Sequence, residues 1–215
     1  MKKTKSTILI ADDHPIVLEG LSRLIEKDII NCKLIKAHSG TEVLAFARKE
    51  NFDLFILDMG MPGVNGLDVL KSLRSMKVQT PVLFLSMYSE DQYALRAIKQ
   101  GAWGYLTKSS APEELIRAIN CILRGKKYIT PTVGELIATA YESNSTQEDL
   151  HLSLSDRELE VLKLIASGKT ITEISELITL SAGTVSTYRK RLMEKMNMKT
   201  NSELTYYAIK TGLVL

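Results

Sequence analysis

The sequence predicts two domains of different class, a doubly wound five-stranded parallel α/β sheet followed by an all-α domain. Two observations carry this. From Thr7 to about Leu123 short apolar runs alternate with amphipathic stretches, whereas from Leu154 onward only helical periodicity remains. Between them lies SNSTQEDLH, polar and almost without apolar anchors, which reads as a linker.

The strand-like runs are TILIA, KLIKA, DLFILD, PVLFLS and GYLTK, and the helical stretches are Ile16–Glu26, Thr41–Lys49, Leu67–Ser75, Asp91–Lys99 and Glu113–Leu123. Parallel strands need crossover helices, so this alternation specifies a doubly wound sheet. Ser89 followed by Gln92 has capping-box spacing, and Gly101 stands where that helix should stop. After Gly125, KKYITPT holds a turn and GELIATAYE a candidate short helix. Ser155–Glu158 (SDRE) and Thr170–Glu173 (TITE) match the capping box, so helices should begin at Asp156 and Ile171. A third should start after Ser181, leaving the short turn Ile178–Ser181, and two helices joined this tightly form a helix-turn-helix. In the third helix Val185, Leu192 and Met196 share an inward face, while Ser186, Thr187, Lys190 and Arg191 point away. The expected division is 1–125, a linker with a short helix over 126–152, and 153–215.

Bulk composition sets limits. The 215 residues are 45% hydrophobic and 25% charged with a net charge of +3, an ordinary globular balance too mild to identify a polyanionic partner unaided. Cys32 and Cys121 each lie in an apolar-periodic segment and read as reduced core thiols, with no zinc-like spacing. MKKTKS is basic, but the apolar run Ile8–Ala11 is far too short for a signal sequence, and no stretch approaches the roughly 18 apolar residues of a membrane span. The expectation is a soluble, cytoplasmic protein.

Open parallel sheets bind ligands at the carboxyl ends of their strands. The first strand ends in Asp12 and Asp13, the third in Asp58, the fourth in Ser86 and the fifth in Thr107 and Lys108. An ordinary polar rim accounts for each residue separately, but not for this combination at the ends of four strands. Clustered carboxylates repel unless a cation joins them, and hard oxygen ligands suit Mg²⁺. A carboxylate can accept a phosphoryl group, whose charge a lysine and a hydroxyl would stabilise. No glycine-rich phosphate loop is present, which argues against a nucleotide substrate.

ADDH at Asp12–Asp13, LDMGMPGVNG around Asp58, Ser86, and GYLTK with Lys108 resemble the receiver domain of bacterial two-component response regulators, a flavodoxin-like fold. The resemblance implies that Asp58 is phosphorylated by a partner histidine kinase, with Asp13 binding Mg²⁺ directly, Asp12 assisting and the Gly60 carbonyl as a further ligand. It places Ser86 and Lys108 on the phosphoryl group and Tyr105 as the switching aromatic. Ser109 stands where many receivers carry a proline, which implies a differently shaped loop, and Gly60 and Tyr88 occupy positions that tune phosphate lifetime.

Charge in the tail is uneven. Residues 186–215 hold six Lys/Arg against two acids, while 153–185 hold three against five. A basic excess on and after the third helix is the footprint of phosphate contact in a DNA major groove, or else a solvated helix face. The string LSDRELEVLKLIASGKTITEISELITLSAGTVSTYRKRLMEKMNMKTNSEL resembles a LuxR-type DNA-binding domain, and the two modules together resemble the NarL/FixJ class of response regulators. That resemblance puts Ser186, Thr187 and Lys190 at base and groove contacts on double-stranded DNA and Arg191 on phosphate. It implies a homodimer, when phosphorylated or on DNA, through the last helix, about Ser202–Lys210, unless that helix is core. Tyr188 replaces a common histidine and Asn197 a usual glycine.

The expectation is therefore a phosphorylation-controlled transcription regulator rather than an enzyme. Two other readings stand at this stage. An aspartate-nucleophile hydrolase would turn over a small phosphate ester, and an adaptor would bind protein through its helical domain.

Overall fold

The computed structural model describes residues 6–142 and 150–214. The chain forms two compact units, Met1–Glu142 and Ser143–Leu215. Most of the linker reading SNSTQEDLH, residues 143–149, lies outside the described residues.

In the first unit five strands form one parallel sheet: β1 (Ser6–Ala11), β2 (Cys32–Ala37), β3 (Leu54–Leu57), β4 (Val82–Ser86) and β5 (Gly104–Thr107), in the order β2-β1-β3-β4-β5. The crossover helices are α1 (Pro15–Asp28), α2 (Gly40–Ala47), α3 (Gly66–Ser75) and α4 (Glu90–Lys99), and α5 (Pro112–Leu123) follows β5. The central strands β3 and β4 are buried on both faces, which is why they read as continuous apolar runs. Ile8, Ile10, Leu54, Ile56, Leu83 and Leu85 pack on one side with Leu18 and Ile25 of α1 and Leu115, Ile119 and Ile122 of α5. Register pairs Phe55 with Val82, Leu57 with Phe84 and Phe84 with Tyr105, so these side chains share the opposite face.

Helix starts follow local chemistry. Asn65 Oδ1 accepts the Asp68 N–H at 2.9 Å, and Ser39 accepts that of Glu42. Ser89 does occupy the N-cap of α4, but its side chain makes no cap hydrogen bond. Glu90 and Asp91 supply negative charge in that first turn instead. Gly101, at φ +95°, ends the helix as expected. Gly66 meets a stricter demand. A Cβ there would lie 2.5 Å from the Asp58 carbonyl and 2.8 Å from the Phe84 ring, so only glycine lets α3 start against the tip of β3.

The short helix expected in GELIATAYE is longer. Helix α6 (Pro131–Glu142) packs on α4 within the first unit. Neither Cys32 nor Cys121 forms a disulfide among the described residues, but both are half-buried rather than core; the Cys121 Sγ reaches the carbonyls of Lys126 and Lys127.

In the second unit a 3-10 turn (Leu150–Ser153) precedes α7 (Asp156–Ala166), α8 (Ile171–Leu177), α9 (Ala182–Met196) and α10 (Asn201–Lys210). Ser155 with Glu158 and Thr170 with Glu173 form full capping boxes, and so do Thr200 and Glu203. Leu159, Leu162, Ile174, Val185, Leu192, Met196, Leu204 and Ala208 are buried. Thr179 sits in the α8–α9 turn at φ +55° and Asn197 ends α9 at φ +52°. Asparagine tolerates that left-handed conformation, so Asn197 does the work of a glycine there. Among the described residues no helix is long and apolar enough to cross a membrane.

Candidate functional site

Sheet register assembles the rim. The Asp12 N–H donates to the Ala37 carbonyl, the Asp58 N–H to that of Ala11 at 2.8 Å, and the Lys108 N–H to that of Ser86 at 2.7 Å. Each polar residue thus emerges just beyond the last ladder pair of its strand, Asp12 and Asp58 at the crevice where strand order reverses between β1 and β3. Three of them converge. Lys108 Nζ lies 2.6 Å from Asp12 Oδ2 and 3.2 Å from Asp58 Oδ1. The Gly60 N–H donates to the other Asp58 oxygen at 3.2 Å.

This pocket is electrostatically tense. Asp58 is 6% exposed, and burial raises its carboxyl above the ordinary value; Lys108 opposes the rise, while Asp12 and Asp13 add to it. For Lys108 burial acts to lower the ammonium, but Asp12 and Asp58 outweigh it and the net shift is upward. The lysine is therefore held charged, against three carboxylates that one cation cannot balance.

A divalent ion fits this deficit. Asp13 Oδ1 is buried and has no hydrogen-bond partner; His14 Nδ1 is 3.0 Å away but off the bonding direction. Asp12, Asp13 and His14 gather ligand atoms within 4.8 Å of one another. Asp58 is not in that group; its Oδ1 faces Lys108 instead. His14 follows the acid pair directly in the sequence, with no spacing of its own to mark it. Its N–H donates to Asp12 Oδ1 at 2.9 Å.

Ser86 is fully buried, and its Oγ accepts the Tyr88 N–H at 3.2 Å. Tyr105 is buried, and its hydroxyl donates to the Tyr88 carbonyl at 2.8 Å. The Tyr88 ring lies on that of Tyr93, centroids 4.7 Å apart. Ser109, at the departure from the proline pattern, pairs its Oγ with Thr107 Oγ1 at 2.8 Å.

In the second unit Ser186, Thr187, Lys190 and Arg191 are all exposed, opposite the buried Val185, Leu192 and Met196. The Thr187 hydroxyl donates to the Gly183 carbonyl at 3.0 Å, and Tyr188 is half-buried. Arg189 Nε donates to Asn201 Oδ1 at 2.8 Å, tying α9 to the start of α10. At the far end of α9, Lys195 Nζ lies 2.6 Å from the buried Glu158 Oε2, which also accepts the Ser155 N–H.

The family description "Response regulator receiver domain" matches residues 8–120, over half of the chain, and "Bacterial regulatory proteins, luxR family" matches 152–208. The chain belongs to the two-component response regulators. Its relatives place it in the NarL/FixJ class. It is 33% identical over 207 residues to the response regulator UvrY of Escherichia coli K12, covering 96% of this chain and 94% of that protein. It is 31% identical over 208 residues to the response regulator GacA of Pseudomonas aeruginosa, covering 96% and 97%. Among solved structures, the RcsB response regulator of Salmonella typhimurium is similar at TM-score 0.57 and 27% identity, over 96% of this chain and 99% of that one. RcsB from Salmonella enterica serovar Typhimurium, solved on a promoter with the phosphomimetic BeF3⁻, is similar at TM-score 0.60 and 25% identity, over 95% and 98%. This response regulator thus joins a receiver to a LuxR-type DNA-binding domain and acts in transcription regulation.

Proposed function

We propose that Asp58 is the phosphoacceptor of this response regulator and that its phosphorylation by a sensor histidine kinase controls DNA binding. The observation that carries the reading is the Lys108 ammonium bridging Asp12 and Asp58. An Asp58 oxygen attacks the phosphorus of a phosphohistidine, the P–N bond breaks, and its electron pair stays on the imidazole nitrogen. Lys108 Nζ stands 3.2 Å from Asp58 Oδ1, close enough to stabilise charge on a phosphoryl group carried by that carboxylate. Ser86, whose hydroxyl retains a proton to give, donates to a phosphoryl oxygen. Asp13 and Asp12, with the Gly60 carbonyl and Asp58, would hold Mg²⁺, which when bound neutralises charge shared between carboxylates and phosphoryl oxygens. The Asp13 Oδ1, buried and without a hydrogen bond, supports that assignment.

On the output side, the exposed set Ser186, Thr187 and Lys190 meets base edges and groove while Arg191 meets phosphate. RcsB, a relative in fold, has been solved on DNA and as dimers on DNA, which supports a homodimer here. A cytoplasmic location follows from a DNA partner. Intact mass after incubation with acetyl phosphate and Mg²⁺ tests the acceptor. One added phosphoryl group in wild type and none in Asp58→Ala is expected; equal addition in both would refute the assignment.

A further inference from the structure

We propose that α6 is a strap docked on α4 and released by phosphorylation, with Thr130 and Glu90 as its latch. The inference rests on Asp58 being phosphorylated, and what it adds is the element that reads the event. A helix flanking a sheet normally buries one stripe of roughly 100°. Helix α4 buries Tyr93, Ala94, Arg96 and Ala97, an arc of about 160° at 3.6 residues per turn. The extra face is covered by α6, whose Val133, Leu136, Ile137 and Ala140 recur at i, i+3, i+4 and i+7 and are buried or half-buried, while Thr132, Glu135, Ala138 and Thr139 are exposed.

One hydroxyl joins the two helices. Thr130 Oγ1 accepts the Val133 N–H at 3.3 Å, serving the start of α6, and donates to Glu90 Oε2 at 2.6 Å. Thr130 is itself buried. Glu90 lies in the first turn of α4, two residues after Tyr88. Tyr88 is held to the rim through the Ser86 Oγ, to β5 through the Tyr105 hydroxyl, and to α4 through the Tyr93 ring. A continuous set of short contacts thus runs from the end of β4 to the start of α6.

Its response to phosphorylation follows from chemistry. A phosphoryl group on Asp58 presents acceptor oxygens that draw the Ser86 hydroxyl, and the Tyr88 amide bonded to that oxygen moves with it. Displacement two residues on is transmitted to Glu90. A hydrogen bond weakens steeply once donor and acceptor part beyond about 3.2 Å, so the latch is sensitive to a small shift. With the latch open, α6 keeps only a narrow apolar stripe, and the tether to the DNA-binding unit gains up to the 12 residues of α6.

Hydrogen exchange on the full chain, with intact mass read on the same sample, tests this. In wild type treated with acetyl phosphate and Mg²⁺, amides of α6 should exchange about tenfold faster while those of α2 are unchanged. Thr130→Val should show fast α6 exchange before phosphorylation and little further response. Glu90→Gln, which keeps an acceptor oxygen, should behave as wild type. A phosphoryl adduct with α6 exchange unchanged or slowed overturns the strap while leaving the phosphoacceptor intact. No adduct at all removes the phosphoacceptor reading, and the strap falls with it.

Discussion

At Asp58 the burial of a carboxyl beside other acids costs stability. Its carboxyl is raised in the folded chain, first by burial and then by its acidic neighbours against the pull of Lys108. In the unfolded chain it ionises nearer its ordinary value of 3.8. Between those two pKa values the unfolded state sheds its proton first, so Asp58's contribution falls as pH rises through that window. At neutral pH without divalent cations, Asp58→Asn should therefore raise the melting temperature by a few degrees, about 1 kcal/mol. Mg²⁺ should stabilise wild type more than the variant, and thermal melts of both proteins with and without the ion check the pair. Thr179 offers a second test at this scale. A β-branched residue at φ +55° is strained, so Thr179→Asn should stabilise the chain by about 0.5–1 kcal/mol in urea unfolding. Asp12, Asp58 and Lys108 were legible in the sequence because strand ends can be read from apolar runs. His14 was not, since its part depends on where its ring turns after the strand. The half-burial of the cysteines was equally hidden, because periodicity marks a face without saying how completely neighbours cover it.

At the scale of elements, Glu158 joins two helices. It closes the capping box of α7 and accepts from Lys195 near the end of α9. Burial opposes its ionisation, but the bonds from Lys195 and Ser155 prevail and its carboxyl is lowered below 4.5. For an acid with a lowered folded pKa, the stabilisation is present above the unfolded value and is lost as pH falls through the folded one. Glu158→Ala should cost about 2 kcal/mol at neutral pH, with the difference from wild type shrinking in acid; urea titrations at both pH values decide it. Helices α7, α8 and α9 start where SDRE, TITE and Ser181 indicated, since a cap is a local agreement between side chain and backbone. Ser89 shows the limit of that logic, having the spacing without the bond. The extent of α6 was not legible, because its stripe makes sense only against the surface of α4 that it covers.

In the whole molecule one chain carries both a charge-sensitive rim and an exposed face with Lys190 and Arg191. If Arg191 meets the phosphate backbone, Arg191→Ala should weaken DNA binding across sequences and reduce the slope of log affinity against log salt by about 0.9. Ser186→Ala should alter sequence preference while leaving that slope unchanged. The central claim is that phosphorylation of Asp58 governs DNA binding, and its most direct test is the affinity of the full chain for a DNA duplex selected from a random pool by the phosphorylated protein. At fixed salt, phosphorylated wild type should bind at least about tenfold tighter than unphosphorylated protein, a coupling of ordinary size, and Asp58→Ala should not respond to acetyl phosphate. Equal affinity with and without a demonstrated phosphoryl group would contradict the account.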